Sequence, residues 1–178
     1  AGLELEDLRP YQHGDDVRHI AWRATARSGR PISKVFRAER RQRILLLVEQ
    51  HPGMAFATRG ELKATVASRA TALISFAALR QGAEIGGMLV GQQKQFFQPA
   101  TQLDQTMLMI GQVNQHPGHD YAGVDPANSI RQLQQLAQRH DTIYLISDFQ
   151  LWSKELQTPL AQLAEWHNLH ALQIIDQG

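Results

Sequence analysis

ILLLVEQHPGM, residues 44–54, decides how this chain is read. The apolar run Ile44 to Val48 is too short for a helix and does not alternate as a strand with one wet face would. Arg40 to Arg43 precede it and His51-Pro52-Gly53 follow it. A short apolar run bounded by charge and turn residues is a strand buried on both faces. Such strands belong to parallel sheets covered by helices.

Working outward, Leu62 to Gln81 reads as an Ala- and Leu-rich helix with Val66, Ala70, Leu73, Ile74, Ala77 and Ala78 facing inward, ended by Gly82. Glu84 to Val90 is a second strand, whose Gly86-Gly87 suggests close packing against a helix. Gly91-Gln92 suits a tight turn into a short strand at Lys94 to Gln98. Leu103 to Val113 is helical, and Asn114 to Val124 is a loop rich in His, Gly and Pro. Asp125 is placed to cap the next helix, with Pro126 in its first turn and Ile130, Leu133, Leu136 and Ala137 on its inner face. Thr142 to Ser147 is a third core strand, Leu156 to His167 a helix that tolerates Pro159 in its first turn, and His170 to Ile175 the last strand. Strands alternating with helices predict an α/β fold built on an open, mostly parallel, doubly wound sheet of Rossmann type. Ligands of such sheets bind outside the carboxyl ends of the strands. Those ends are Glu49 to Met54, Gly91 onward, the loop near Val124, and Ser147-Asp148-Phe149.

A chain of 178 residues with 43% hydrophobic and 20% charged residues can bury a sizeable core. It has no cysteine, which excludes disulfides, thiolate nucleophiles and cysteine-ligated zinc. No apolar run reaches the roughly 18 residues of a membrane span, and there is no signal-peptide pattern. The ends of the chain read as those of a piece excised from a longer protein. The expected setting is cytoplasmic, with any membrane tether lying in segments outside this chain. The net charge of +1 hides a split: up to Arg43 there are ten Lys/Arg against six Asp/Glu, and between Arg18 and Arg43 the sole acid is Glu39. A basic front can attract nucleic acid or anionic lipid. Trp22, Ile32, Val35 and Phe36 interleave the charges, however, as in a packed segment, so a solvated face is the favoured reading. The expected division is an extended basic arm, residues 1–43, packed on an α/β domain, residues 44–178.

Within the arm, Gly14 permits a turn, and Asp15 or Asp16 can cap amides or pair with Arg18, Arg23 or Arg27. Ile20 and Trp22 fall on one side of an extended segment, where they could bury against the sheet. The segment serves either as a clamp or as a recognition surface, and the two are compatible. Tyr11-x-x-Gly14-Asp15-Asp16-x-Arg18-x-Ile20-x-Trp22, Ala26-Arg27-x-Gly29 and Phe36-x-x-Glu39 together resemble the signature of the bacterial domain of unknown function 58 family. The resemblance covers nearly the whole chain, although Ala21 stands where the family usually has an aspartate.

That resemblance implies a von Willebrand factor A-like domain that works with a MoxR-type AAA+ ATPase as its protein partner. Domains of that kind often hold Mg²⁺ in an Asp-x-Ser-x-Ser loop, helped by a later Thr and Asp. Here the matching positions read Glu49-x-His51-x-Gly53, with Val124 at the Thr position and Asp148 unchanged. Mg²⁺ wants hard oxygen ligands, and the histidine nitrogen suits Zn²⁺ or Ni²⁺ better. The expected site, Glu49 and Asp148, is therefore degenerate and holds no metal, with Asp148 capping its loop or pairing with His51. His116-x-x-His119-Asp120 and His167-x-x-His170 lack ligand spacing and read as polar surface. No phosphate loop, nucleophile elbow or paired acid and base appears.

The expected function is a non-enzymatic protein-interaction domain without a cofactor, engaging its partner through Asp15, Asp16, Arg18, Trp22, Arg27, His51 and Met54. Pro52, Met54 and Phe56 would offer an apolar contact in place of a metal. The alternatives are a nucleic-acid-binding module acting through the basic arm, disfavoured by its few aromatics, and a metal-dependent hydrolase using Glu49 and Asp148.

Overall fold

Leu45, Leu46, Leu47 and Val48 are wholly buried, as their apolar run demands. In this computed structural model, which describes residues 3–38, 41–91, 94–115 and 120–176, the chain divides into two compact units, Ala1–Arg41 and Gln42–Gly178.

The first unit holds two antiparallel strands, β1 (Leu3–Pro10) and β2 (Ile32–Ala38), with helix α1 (Trp22–Ser28) between them in sequence. It is therefore not an extended arm. Asp16 caps a turn of 3-10 helix at Val17–His19, Ile20 bridges to Ser33, and Gly29 ends α1 in the left-handed region at φ 67°. Because Trp22 opens a helix, it does not share an extended face with Ile20. It is 69% exposed, so the expected burial of its ring is corrected.

The second unit is a five-stranded sheet built from β3 (Arg43–Glu49), β4 (Glu84–Val90), β5 (Gln95–Ala100), β6 (Thr142–Ser147) and β7 (Asn168–Gln173). The strand order is β5-β4-β3-β6-β7, parallel except for β5 against β4. The helices are α2 (Lys63–Arg80), α3 (Leu103–Val113), α4 (Pro126–Leu136) and α5 (Gln157–Trp166). The expected mostly parallel α/β sheet is thus present. Alternate residues of β3 feed two cores: Ile44, Leu46 and Val48 pack with residues of α2 and α3, and Leu45 and Leu47 with residues of α4 and α5. The last strand lies two residues earlier than expected.

Two details depart from the expected packing for physical reasons. Helix α2 turns Ala64, Ala67, Ser68, Thr71, Ser75 and Ala78 inward, while Leu73 is 73% exposed. The 3.6-residue period fits either stripe, and the small residues let the helix lie close to the sheet. Gly86 and Gly87 serve close approach of strands rather than of a helix. A Cβ on Gly87 would lie 2.0 Å from the Leu46 carbonyl oxygen, and one on Gly86 would lie 2.5 Å from that of Phe97. The expected turn at Gly91-Gln92 falls partly outside the described residues, and the His116 and His119 pair wholly so.

Starting from β3, the chain places β4 on one side and later β6 on the other. The order therefore reverses between β3 and β6, the place where an open α/β sheet forms its crevice. Gly87→Ala should overpack this sheet and cost about 1–3 kcal/mol in urea unfolding. A loss below about 0.5 kcal/mol would contradict the tight strand approach.

Candidate functional site at the strand ends

The carboxyl ends of β3 and β6 bring Glu49, His51, Ser147 and Asp148 together, as the fold requires of neighbouring parallel strands. All four are buried. Lys63, the first residue of α2, joins them and is 6% exposed.

Glu49 is held on both oxygens. The Ser147 hydroxyl donates a short hydrogen bond to Oε2, and the Trp152 indole Nε1 donates to Oε1 at 2.9 Å. Ser147 Oγ in turn accepts from the Phe149 amide at 2.8 Å, which directs its own proton toward Glu49. Phe149 has the left-handed φ of 58°, uncommon for a residue with a side chain, and its ring meets that of Trp152 edge-on at 4.9 Å. Burial pushes the Glu49 carboxyl above the ordinary range, against the hydrogen bonds of Ser147 and Trp152, which favour its charge.

Asp148 has a different environment. The Lys63 ammonium donates to its Oδ2 at 2.8 Å and the Gln150 amide to its Oδ1 at 3.1 Å. Burial opposes its charge, but the Lys63 and Gln150 hydrogen bonds and the neighbouring positive charge outweigh it, leaving Asp148 below the ordinary carboxylate range. His51 Nε2 lies 3.2 Å from Asp148 Oδ1 and 4.0 Å from Glu49 Oε2. Both of its ring nitrogens nevertheless lack a hydrogen-bond partner among the described residues, so the approach to Asp148 is off the hydrogen-bonding line. The ring stacks on Tyr121 with centroids 5.6 Å apart and fills the space beside Gly53, where a Cβ would lie 2.9 Å from its Cε1.

This donor set does not fit Mg²⁺. Val124, expected at the Thr position, is an apolar residue packed with the core of β3 and β6. Glu49 has both oxygens engaged by donors, and Asp148 already carries an ammonium. Among the described residues, no cluster of three His, Cys, Asp or Glu is spaced to hold a metal ion. A divalent ion would have to displace Lys63 or sit against its charge.

The expectations for the strand-end loop divide. Asp148 both caps its loop and approaches His51. Met54 is wholly buried and His51 is 1% exposed, so neither presents a surface, and the expected partner contact through them is corrected. Pro52–Ala55 forms a turn of 3-10 helix that points Met54 into the core, leaving Phe56 exposed. Ser147 lies at a strand end expected to border the site, whereas Lys63, Trp152 and Tyr121 are additions that the sequence reading lacks. A lysine in the first turn of an otherwise Ala- and Leu-rich helix, where the helix dipole disfavours a cation, was the available signal.

In the first unit, Asp15 accepts from the Arg9 guanidinium at 2.7 Å and from the Gln12 amide at 2.9 Å. Arg9 was not among the expected partners. Asp16 binds Arg18 through a fork, with Nη2 to Oδ2 at 2.6 Å and Nε to Oδ1 at 3.1 Å, which holds the Asp16 carboxyl down to about 2. Arg23 and Arg27 are exposed and form no ion pair among the described residues.

The pH dependence of the buried carboxylates has a definite sign. A folded pKa raised above its unfolded value gives stability at low pH that is lost as the pH rises through it, so ionised Glu49 costs stability. Glu49→Gln should therefore gain on the wild type as the pH rises from about 4 to 8 in denaturant unfolding. A constant gap between the two would contradict the raised value.

Relatives place this chain in a family. Over 181 aligned residues the chain is 32% identical to an uncharacterized protein of Mycobacterium bovis, covering 98% of this chain and 56% of the relative. The same figures hold for an uncharacterized protein of Mycobacterium tuberculosis. The chain thus spans about half the length of these curated relatives. In structure it is similar to the conserved hypothetical protein BatB from Bacteroides thetaiotaomicron, with TM-score 0.57 at 10% identity, over 74% of this chain and 66% of that one. That likeness is one of fold alone. The family described as "Protein of unknown function DUF58" matches residues 7–178, and the chain belongs to it.

Proposed function

We propose that this chain is a non-enzymatic protein-interaction domain of von Willebrand factor A-like type, working with a MoxR-type AAA+ ATPase in protein assembly or maturation. The observation that carries this reading is the contrast between its two sets of candidate residues. At the strand ends, Glu49 and Asp148 are buried and bound to groups of the chain itself. Neither is free to act as a general base or to ligate a catalytic metal, which counts against the hydrolase alternative. In the first unit, by contrast, Trp22 is exposed in a segment that also carries the exposed Arg18, Arg23 and Arg27. Tryptophan and arginine are the residues most enriched where protein interfaces concentrate their binding energy. Asp16 holds Arg18 in one geometry, which lowers the ordering cost of a contact made there.

The reading is tested with the MoxR-type ATPase of the same organism, purified and titrated against this chain. Trp22→Ala and Arg27→Glu should each weaken binding about tenfold or more, by loss of a contact worth about 1.4 kcal/mol or more. Both variants should keep the wild-type unfolding midpoint, since both side chains are exposed. No binding by the folded wild type, or full binding by both variants, would overturn the proposal.

A further inference from the structure

We infer that Lys63 is the resident cation of the strand-end site: its tethered ammonium takes the place on Asp148 that a divalent ion would need. Several observations converge on this. Lys63 is buried, and burying an ammonium is costly unless a carboxylate compensates it. Its Nζ meets Asp148 at 2.8 Å, at the point where the strand order reverses. Helix α2 begins without a capping side chain and without an acid in its first turn. Lys63 thus sits at the positive end of the helix dipole, where a cation gains nothing from the helix and must be held by the site. The same charge helps hold Asp176, beyond β7, below the ordinary range, after the hydrogen bonds from Thr58.

The substitution has a chemical consequence. A metal ion can exchange, leave open coordination positions and take a partner's carboxylate into its shell. A buried lysine can do none of these, so the site carries a fixed positive charge that does not depend on divalent ions. With the ammonium removed, Asp148 and Glu49 would be left beside His51, whose ring nitrogens have no hydrogen-bond partner among the described residues. Among the described residues no three such groups are spaced to hold a metal ion, so loss of the ammonium leaves Asp148 without a cation. The inference rests on the cluster itself and stands whether or not an ATPase is the partner.

The experiment is thermal unfolding of the whole chain with EDTA, Mg²⁺, Zn²⁺ or Co²⁺, for the wild type, Lys63→Ala, Lys63→Arg and Lys63→Ala/Asp148→Asn. The wild type and Lys63→Arg should show no rise that depends on Asp148. Lys63→Ala should melt lower than the wild type in EDTA and with every ion, because Asp148 loses its counter-charge. The double variant, with neither charge, should melt above Lys63→Ala. If Lys63→Ala is unfolded, the double variant should recover the folded circular dichroism. An Asp148-dependent rise in the wild type or in Lys63→Arg would overturn the inference. So would a Lys63→Ala protein that melts with the wild type.

Discussion

A lysine ammonium buried against an aspartate is the constraint on which the strand-end site depends. Lys63 begins α2, which follows β3, and Asp148 follows the last residue of β6. Their contact at 2.8 Å fixes the start of the helix to the crevice between the two strands. Neither charge is stable there alone: in a medium of low polarity each, without the other, would neutralise or draw water into the site. The pairing explains why Asp148 keeps its charge while Glu49, buried with neutral donors, is pushed toward its protonated form.

The two carboxylates consequently have separate tasks. Glu49 organises neutral groups, drawing the Ser147 hydroxyl and the Trp152 indole onto the end of β3 and, through Ser147, the strained amide of Phe149. Asp148 holds the cation and the loop after β6. With both occupied by the chain's own groups, the end of the sheet is a closed polar core rather than an open receptor. That is why the proposed interaction surface is sought among the exposed residues of the first unit and not among Glu49, His51 and Met54.

Much of the fold was legible because it rests on local signals. The apolar run at β3, the TIYLIS strand, the Asp125-Pro126 helix start and the limits of α3 are each written in a few consecutive residues. The crevice was legible too, since strand-end residues follow from topology. What escaped depends on choices that period and composition leave open. The buried stripe of α2 is made of small and hydroxylated residues, while the larger Leu73 of the same helix points outward. Trp22 looked like an anchor only while its segment was taken as extended, and the short helix it opens turns the ring to solvent. Lys63 was missed because its partner lies 85 residues away. A salt bridge between a helix start and a distant strand end leaves no spacing pattern in the sequence.

The most direct test of the account is the coupling between Lys63 and Asp148, measured by urea unfolding of Lys63→Met, Asp148→Asn and the double variant at neutral pH. Each single change leaves a buried group without its counterpart and should cost about 3–5 kcal/mol. The double variant removes both charges and should cost less than the sum of the singles by about 1–3 kcal/mol. Additive losses, or single losses below about 1 kcal/mol, would mean that the pair is not the constraint holding the site.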